Sequence, residues 1–468
     1  MLIRRPSEEG MTLTRATILP GSYQWPFNCR AMSAVILVAA SLSAAWLSGC
    51  AQRVSTKSVA SSNSPKASGI PAEPMELFVP RPIGDSFKAP PRISFVKIHD
   101  LDQDGLVDVL VCDCNKNAIC WIRQVESGKF EEQVIADQIV APARLECVDL
   151  DGDGDQDLLI AVLGQLFPTN ERVGSVVILE NNGDGGFTRH LLLDQVARVS
   201  DVRAGDLDQD GDLDLVVTQF GYNDGEIQWL ENQGSWRFAS HPIQNLAGGI
   251  HGIVADMNQD AHLDIVAIIS QEIESIFLFC GNGHGDFRTK KIYSSKNPDF
   301  GSSGISLCDL DADGDLDILY CNGDAFDYSP PRPWPWHGFQ WLENLGQEQF
   351  RYHRLLDLGG ATNSHAADFD GDGDLDIFVT STFNDWDTPE SQSLILLENA
   401  GNMTFKIHGL ANAPTHLQAL DVGDLDNDGR LDLVTGGMHV SPPYDRVERV
   451  VWWRGNEQVP VAKLTLLE

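Results

Sequence analysis

The chain has 468 residues, 42% of them hydrophobic, which is enough to bury a sizeable core and too apolar for a disordered protein. Its formal charge of -35 argues against nucleic-acid partners, which need basic faces. Thirty-one of the 68 acidic residues are aspartates inside seven short loops, and without them the balance would be about -4, so the acidity belongs to those loops.

Residues 1–50 read as a targeting segment. Arg4, Arg5, Arg15 and Arg30 precede an apolar run from Ala31 to Leu47, and no other stretch is apolar enough to span a membrane. The string Leu47-Ser48-Gly49-Cys50 resembles the bacterial lipobox, which implies lipidation of Cys50 and an exported protein anchored at the cell envelope, at the outer membrane or cell surface. An uncleaved signal anchor, or an ordinary signal peptide with a chance cysteine, is the alternative. The long basic region leaves Met11 as a second candidate start. Residues 51–74 are rich in Ser, Ala, Pro and Lys without apolar period, the composition of a flexible tether with a reach of roughly 25 to 30 Å. Beyond Cys50 lie Cys112, Cys114, Cys120, Cys147, Cys280, Cys308 and Cys321, an odd number, so at least one has no partner within the chain. Spacing does not choose a pairing, and buried thiols in strands are the other reading.

From residue 75 onward the chain repeats. Seven times a short apolar strand runs into an aspartate loop and then into a second apolar run. The loops begin at Asp100, Asp149, Asp206, Asp256, Asp309, Asp368 and Asp424, which are 49, 57, 50, 53, 59 and 56 residues apart. After each loop comes a near-continuous apolar segment, such as Val107 to Cys112 or Leu158 to Val162, typical of a strand covered on both faces. A third strand ends in a turn string such as Trp229 to Gly234 or Trp341 to Gly346. A phenylalanine then opens a fourth strand at Phe130, Phe187, Phe238, Phe287, Phe350 and Phe405. No segment carries helical periodicity. One four-stranded sheet cannot cover its own faces, whereas seven packed radially cover each other, so the expected fold is all-β: a seven-bladed β-propeller of four-stranded antiparallel blades. An open solenoid of the same repeats is the structural alternative. The segment from Val459 to Leu467 is expected to finish the seventh blade, and Leu77 to Ile83 to add an outer closing strand.

The loops span residues 100–108, 149–157, 206–214, 256–264, 309–317, 368–376 and 424–432. Aspartates occupy positions 1, 3, 5 and 9: Asp100, Asp102, Asp104 and Asp108 in the first, then Asp149, Asp151, Asp153 and Asp157 in the second. Asp206, Asp208, Asp210 and Asp214 follow, then Asp309, Asp311, Asp313 and Asp317, then Asp368, Asp370, Asp372 and Asp376, and last Asp424, Asp426, Asp428 and Asp432. Alternating carboxylates converge on one point, glycine at position 6 allows the sharp turn, and this hard-oxygen set points to calcium. The fourth loop is weaker: Asp256, Asn258, Asp260 and Asp264 remain, but Ala261 replaces the glycine. An EF-hand is excluded, because position 12 is Val111, Ile160 or Val217 inside a strand instead of a bidentate glutamate. Solvated turn aspartates would explain one loop but not seven in one register.

These residues resemble the FG-GAP or VCBS-type repeats of bacterial surface proteins, similar to the calcium-bearing blades of the integrin α-subunit head. The resemblance covers Phe78 to the C-terminus, although the literal Phe-Gly and Gly-Ala-Pro signatures are absent. It implies that the calcium loops join strands 1 and 2 on one face of the disc and that ligands meet the other. There, polar residues preceding the loops (Lys97, Arg144, Glu146, Asp201, Arg203, His251, Asn363, His365 and Asp421) form an expected ring at the mouth of the central channel. Long loops between strands 2 and 3 carry Tyr222, then Phe326, Tyr328, Trp334, Trp336 and His337, then Phe383, Trp386 and Tyr444. Aromatic faces beside polar groups suit a glycan or a protein ligand, and packing of the loops together is the alternative.

The expected function is therefore a calcium-stabilised binding or adhesion propeller at the cell envelope. One rival is a polysaccharide lyase or dehydratase using His251, His365, Arg144 or Arg203 as acid, base and charge stabiliser, although no nucleophile motif or fixed acid/base pair is present. The other is a non-catalytic scaffold. A lone histidine such as His416 is expected to be structural.

Overall fold

The computed structural model describes residues 70, 74–271 and 273–461; Cys50, most of the tether and residues 462–468 lie outside them. Twenty-eight strands form seven antiparallel four-stranded sheets, and no helix occurs among the described residues. The inner strands are Ile93–His99, Pro142–Val148, Arg198–Gly205, Gly249–Ala255, Ser302–Cys308, Ala361–Ala367 and Leu417–Gly423. Each contacts the next, and the last returns to the first, so the sheets close into a ring. That is the expected seven-bladed propeller.

There is no single core. The buried apolar residues fall into seven clusters, one per interface between successive blades. This is why the second strand of each blade reads as an unbroken apolar run: Asp108–Asp113 and Asp157–Val162 are buried along their whole length, with a neighbouring blade on each side. The outer strands face solvent and alternate, as in Lys129–Ala136.

Closure differs from the sequence expectation in one respect. The fourth strand of the seventh blade is not the C-terminal segment but Phe78–Pro82, which pairs antiparallel with Val450–Gly455. Of the Val459–Leu467 segment, Val461 makes one isolated bridge to Arg430. The first and last strands of the described residues thus pair in blade 7, and Phe78–Pro82 latches the ring. The adjoining interface with blade 1 contains Trp452, fully buried against Phe130, and an ion network around Arg449. The Arg449 guanidinium donates to Asp113 Oδ2 at 2.9 Å and to both oxygens of Glu132 at 2.6 and 2.9 Å.

All seven cysteines of the described residues are free. Burial pushes the thiols of Cys114, Cys120, Cys147, Cys280 and Cys321 up to about 12, so these side chains stay protonated and unreactive.

Candidate functional site

Each aspartate loop follows an inner strand and lies on one face of the disc. Its first aspartate accepts backbone N–H groups across the turn: Asp100 from Asp104 and Gly105, Asp206 from Asp210 and Gly211, and Asp424 from Asp428 and Gly429. The residue at position 6 is left-handed in every loop, with φ of 86° at Gly105 and 97° at Gly154, Gly211, Gly314 and Gly373. Ala261 takes the same conformation at 67° and makes the same bond to Asp256 at 2.9 Å, so the glycine-free fourth loop folds alike but under strain.

The aspartate at position 9 has a second duty that its place in the motif does not disclose. In all seven blades one carboxylate oxygen accepts the N–H of position 2 and the other the N–H of a residue at or near the end of strand 3. Asp157 joins Leu150 at 3.1 Å to Asn181 at 2.8 Å, and Asp432 joins Leu425 at 3.0 Å to Gly455 at 2.7 Å. Asp108, Asp214, Asp264, Asp317 and Asp376 repeat the arrangement. Burial pushes these carboxyls up, to about 6 at Asp108, Asp157, Asp214 and Asp264 and about 7 at Asp317, Asp376 and Asp432, against the pull of the backbone N–H groups.

Carboxylate oxygens of Asp149, Asp151 and Asp153 come within 4.8 Å of one another, as do those of Asp206, Asp208 and Asp210, of Asp309, Asp311 and Asp313, and of Asp368, Asp370 and Asp376. Asp100, Asp102 and Asp108 do the same. Asp311 Oδ1 is buried with no hydrogen-bond partner; Asp102 Oδ1 and Asp426 Oδ1 are too, but the other oxygen of each pairs with an arginine, Arg123 and Arg454. Carboxylates about 4 Å apart repel by roughly 4 kcal/mol per pair at an effective dielectric of 20. An all-oxygen donor set carrying that repulsion fits a hard divalent cation, which would supply charge neutralisation and rigidity. Successive loops are also clasped: the position-4 amides of Gln103, Gln209 and Gln259 donate at 2.8 Å to the position-6 carbonyls of Gly154, Ala261 and Gly314 in the next blade, and Asn427 reaches Gly105 across the ring closure at 3.3 Å.

The opposite face carries a pocket of about 180 Å³ on the ring axis. Its construction is sevenfold. Near the start of every inner strand the register shifts by one residue, leaving Ser94, Ala143, Ser200, Ile250, Ser303, Thr362 and Gln418 as unpaired bulges. All seven line the pocket. Bulge hydroxyls stitch neighbouring blades, Ser94 donating to Pro142 O at 2.6 Å, Ser200 to Gly249 O at 2.8 Å and Ser303 to Ala361 O at 2.8 Å. Two arginines stack on aromatic walls: Arg144 lies 4.7 Å over Phe95 and Arg198 4.6 Å over Phe220. Arg198 is 5% exposed, and its Nε has no hydrogen-bond partner. Phe326, Asp324 and Asp327 complete one wall, and burial raises the Asp324 carboxyl to about 7.

The structure divides the residues expected on this face. Arg144, His251, Asn363 and Phe326 line the pocket. The others lie outside the pocket lining in charge-paired contacts: Arg203 pairs with Asp201 at 3.1 Å, Glu146 accepts from Ala204 N at 2.9 Å, and Asp421 lies 3.7 Å from both Lys97 and His365. His251 has Nε2 against Arg144 at 2.7 Å and Nδ1 facing Ile305 N–H at 3.2 Å, leaving neither nitrogen for a ligand. Burial and the Arg144 charge hold its pKa down at about 3. Burial also lowers that of His365. This is poor geometry for the acid/base pair of the lyase reading.

The aromatic loops separate too. Tyr222 donates to Asp327 at 2.5 Å at the pocket rim. Tyr328 lines an adjoining acidic cleft with Glu274, Asp299, Asp324 and Asp327. Trp334 and Trp336 stack on each other at 5.0 Å, Trp336 donating to Asp299 O, and Tyr444 is exposed. His337, Phe383 and Trp386 are buried, so they pack the loops and present no face to a ligand. His416 is buried against Trp386 and His439, the structural role expected. Sequence reasoning missed Arg198, Phe220, Phe95 and the bulge residues; the bulges leave no mark in the sequence, because no residue type is common to them.

These features define a seven-bladed propeller with acidic loops on one face and an axial pocket on the other. The FG-GAP-like repeat model matches residues 100–160, 161–217, 206–267, 256–320 and 368–435, and the chain belongs to that family. No curated protein matches the sequence. Among solved structures, the chain is similar to BBS1N, crystallised in complex with ARL6DN, with TM-score 0.50 and 10% identity over 82% of this chain and 99% of that one. It also matches the V. cholerae biofilm matrix protein Bap1 at TM-score 0.41 and 12% identity, over 83% of this chain and 93% of that one. The first likeness concerns the fold alone.

Proposed function

We propose that this protein is an exported, envelope-anchored recognition propeller that binds a glycan or protein ligand in its axial pocket, with calcium in the aspartate loops holding the blades in register. The observation that carries the reading is the pocket itself. Every blade contributes one bulged residue to it, and the buried, aromatic-stacked Arg198 offers it an unpaired Nε. A mixed lining of two arginines, hydroxyls and phenylalanine faces suits hydroxyl- and carboxylate-bearing ligands, which take bidentate hydrogen bonds from guanidinium and stack on rings. The Cys50 lipobox and the 51–74 tether support display at the membrane through N-terminal lipid, and the complex of BBS1N with ARL6DN is a precedent for partner binding by a similar fold. The test is retention of the purified protein on an array of envelope polysaccharides and on cross-linked envelope proteins. Arg198→Gln and Phe220→Ala should lower retention at least tenfold with little change in melting temperature. Retention indifferent to both substitutions would refute the pocket as the binding site.

A further inference from the structure

The seven loops are not electrostatically alike. The residue donating its N–H to the position-9 carboxylate fixes a common register at or near the end of strand 3: Gln124, Asn181, Asn232, Gly281, Asn344, Asn399 and Gly455. The residue just before it is Glu180, Glu231, Glu343 and Glu398 in blades 2, 3, 5 and 6, Cys280 in blade 4, but Arg123 in blade 1 and Arg454 in blade 7. Each of the four glutamates is held by a strand-4 histidine: Glu180 by His190 at 2.6 Å, Glu231 by His241 at 2.7 Å, Glu343 by His353 at 2.7 Å and Glu398 by His408 at 2.8 Å. The same four loops carry a further aspartate at position 7, Asp155, Asp212, Asp315 and Asp374, where loops 1, 4 and 7 have Leu106, His262 and Arg430.

In blades 1 and 7 the sign at that register position is reversed and the guanidinium is already inside the loop. Arg123 Nη2 lies 2.5 Å from Asp102 Oδ2 and 2.9 Å from Asp104 Oδ2. Arg454 spans Asp426 through Nε at 2.5 Å and Asp428 through Nη2 at 2.7 Å, with Arg430 3.6 Å from the same Asp428. These are the position-3 and position-5 carboxylates, the pair a cation would have to share. Blades 1 and 7 are also neighbours, one on each side of the interface where the ring closes.

We propose that loops 1 and 7 are closed by Arg123 and Arg454 in place of calcium, so that the seam of the ring stays shut when calcium is withdrawn and the cation governs only the other blades. The assignment rests on the calcium reading of the remaining loops. Loops 2, 3, 5 and 6 combine five aspartates with a glutamate and no internal cation; loop 4, with three aspartates and an asparagine, is the weaker fifth site. An ion entering loop 1 or 7 would stand beside a guanidinium already bound to its ligands, and like charges at that range exclude each other.

The test is calcium counting on the full-length protein by native mass spectrometry and calorimetric titration at millimolar calcium. Four or five ions are expected. Arg123→Glu and Arg454→Glu, which place at that one position the glutamate of blades 2, 3, 5 and 6, should each add one ion. The milder Arg123→Gln should lower the melting temperature in chelator and lose that deficit when calcium is supplied. Six or seven ions on the wild-type protein would overturn this assignment and leave the calcium reading standing; no bound ion would overturn both. Unchanged melting of Arg123→Gln in chelator would show that the arginine does not close its loop.

Discussion

Replacing Arg449 by methionine tests how the ring is held at its closing interface. Arg449 is 4% exposed, and its guanidinium makes one hydrogen bond to Asp113 of blade 1 and a two-pronged contact with Glu132. Methionine fills much of the volume but leaves two buried carboxylates without their cation. Breaking a buried pair on one side costs about 3 to 5 kcal/mol. Lys116, 2.6 Å from Glu132, remains as partial compensation, which places the expectation at the lower end, about 3 kcal/mol. With an unfolding entropy of about 2.1 cal/mol/K per residue, a propeller of this length should lose roughly 4 °C in melting temperature at neutral pH. The effect carries a pH signature. Hydrogen bonds and the charges of Arg449 and Lys116 hold the Glu132 carboxyl down at about 2, against an ordinary 4.5, overcoming the opposing effect of its burial. A depressed carboxyl pKa contributes stability that is present above 4.5 and fades as pH falls toward 2. The melting difference between wild type and Arg449→Met, measured by calorimetry from pH 7 to 3, should therefore be constant down to about pH 5 and then narrow. A shift below about 1 °C at pH 7, or a difference that ignores pH between 5 and 3, would refute the reasoning.

Other outcomes follow from the loops. Asp151→Asn should abolish most of the calcium-dependent rise in melting temperature contributed by blade 2 while leaving the chelator melt unchanged or raised, because it removes repulsion as well as a ligand. Asp157→Asn should lower the melt with and without calcium, by about 1 to 3 kcal/mol, because an amide can accept only one of the two N–H groups, from Leu150 and Asn181, that the carboxylate now satisfies. Equal behaviour of the two variants in chelator would show that position 9 has no structural duty. Ala261→Gly should stabilise by about 1 kcal/mol in chemical denaturation, since glycine takes φ of 67° without the Cβ penalty; a loss of stability would place the strain elsewhere.

Much of this molecule is local, and the local part is legible in the chain. The period of the aspartate loops, the apolar runs buried between blades and the phenylalanine near the start of six outer strands point to seven four-stranded blades, because hydrophobic burial on both faces and turn chemistry act within one repeat of 49 to 59 residues. The loop conformation is equally local, written in carboxylates that accept N–H groups a few residues away. The Arg-for-Glu exchange is also visible in the sequence, in Trp121-Ile122-Arg123 and Trp452-Trp453-Arg454 beside Trp229-Leu230-Glu231, but its meaning depends on where strand 3 ends relative to the loop.

What only the tertiary structure decides is what depends on ring closure. An N-terminal strand completes the last blade because its partner edge, Val450–Gly455, is left open by the chain order and must be covered. The pocket exists only where seven inner strands converge, so Arg144 and Arg198, 54 residues apart, become neighbours of one cavity while Phe383 and Trp386, which look like binding residues in the sequence, are drawn into the packing. Burial is a property of what covers a side chain, and here the covering elements belong to other blades.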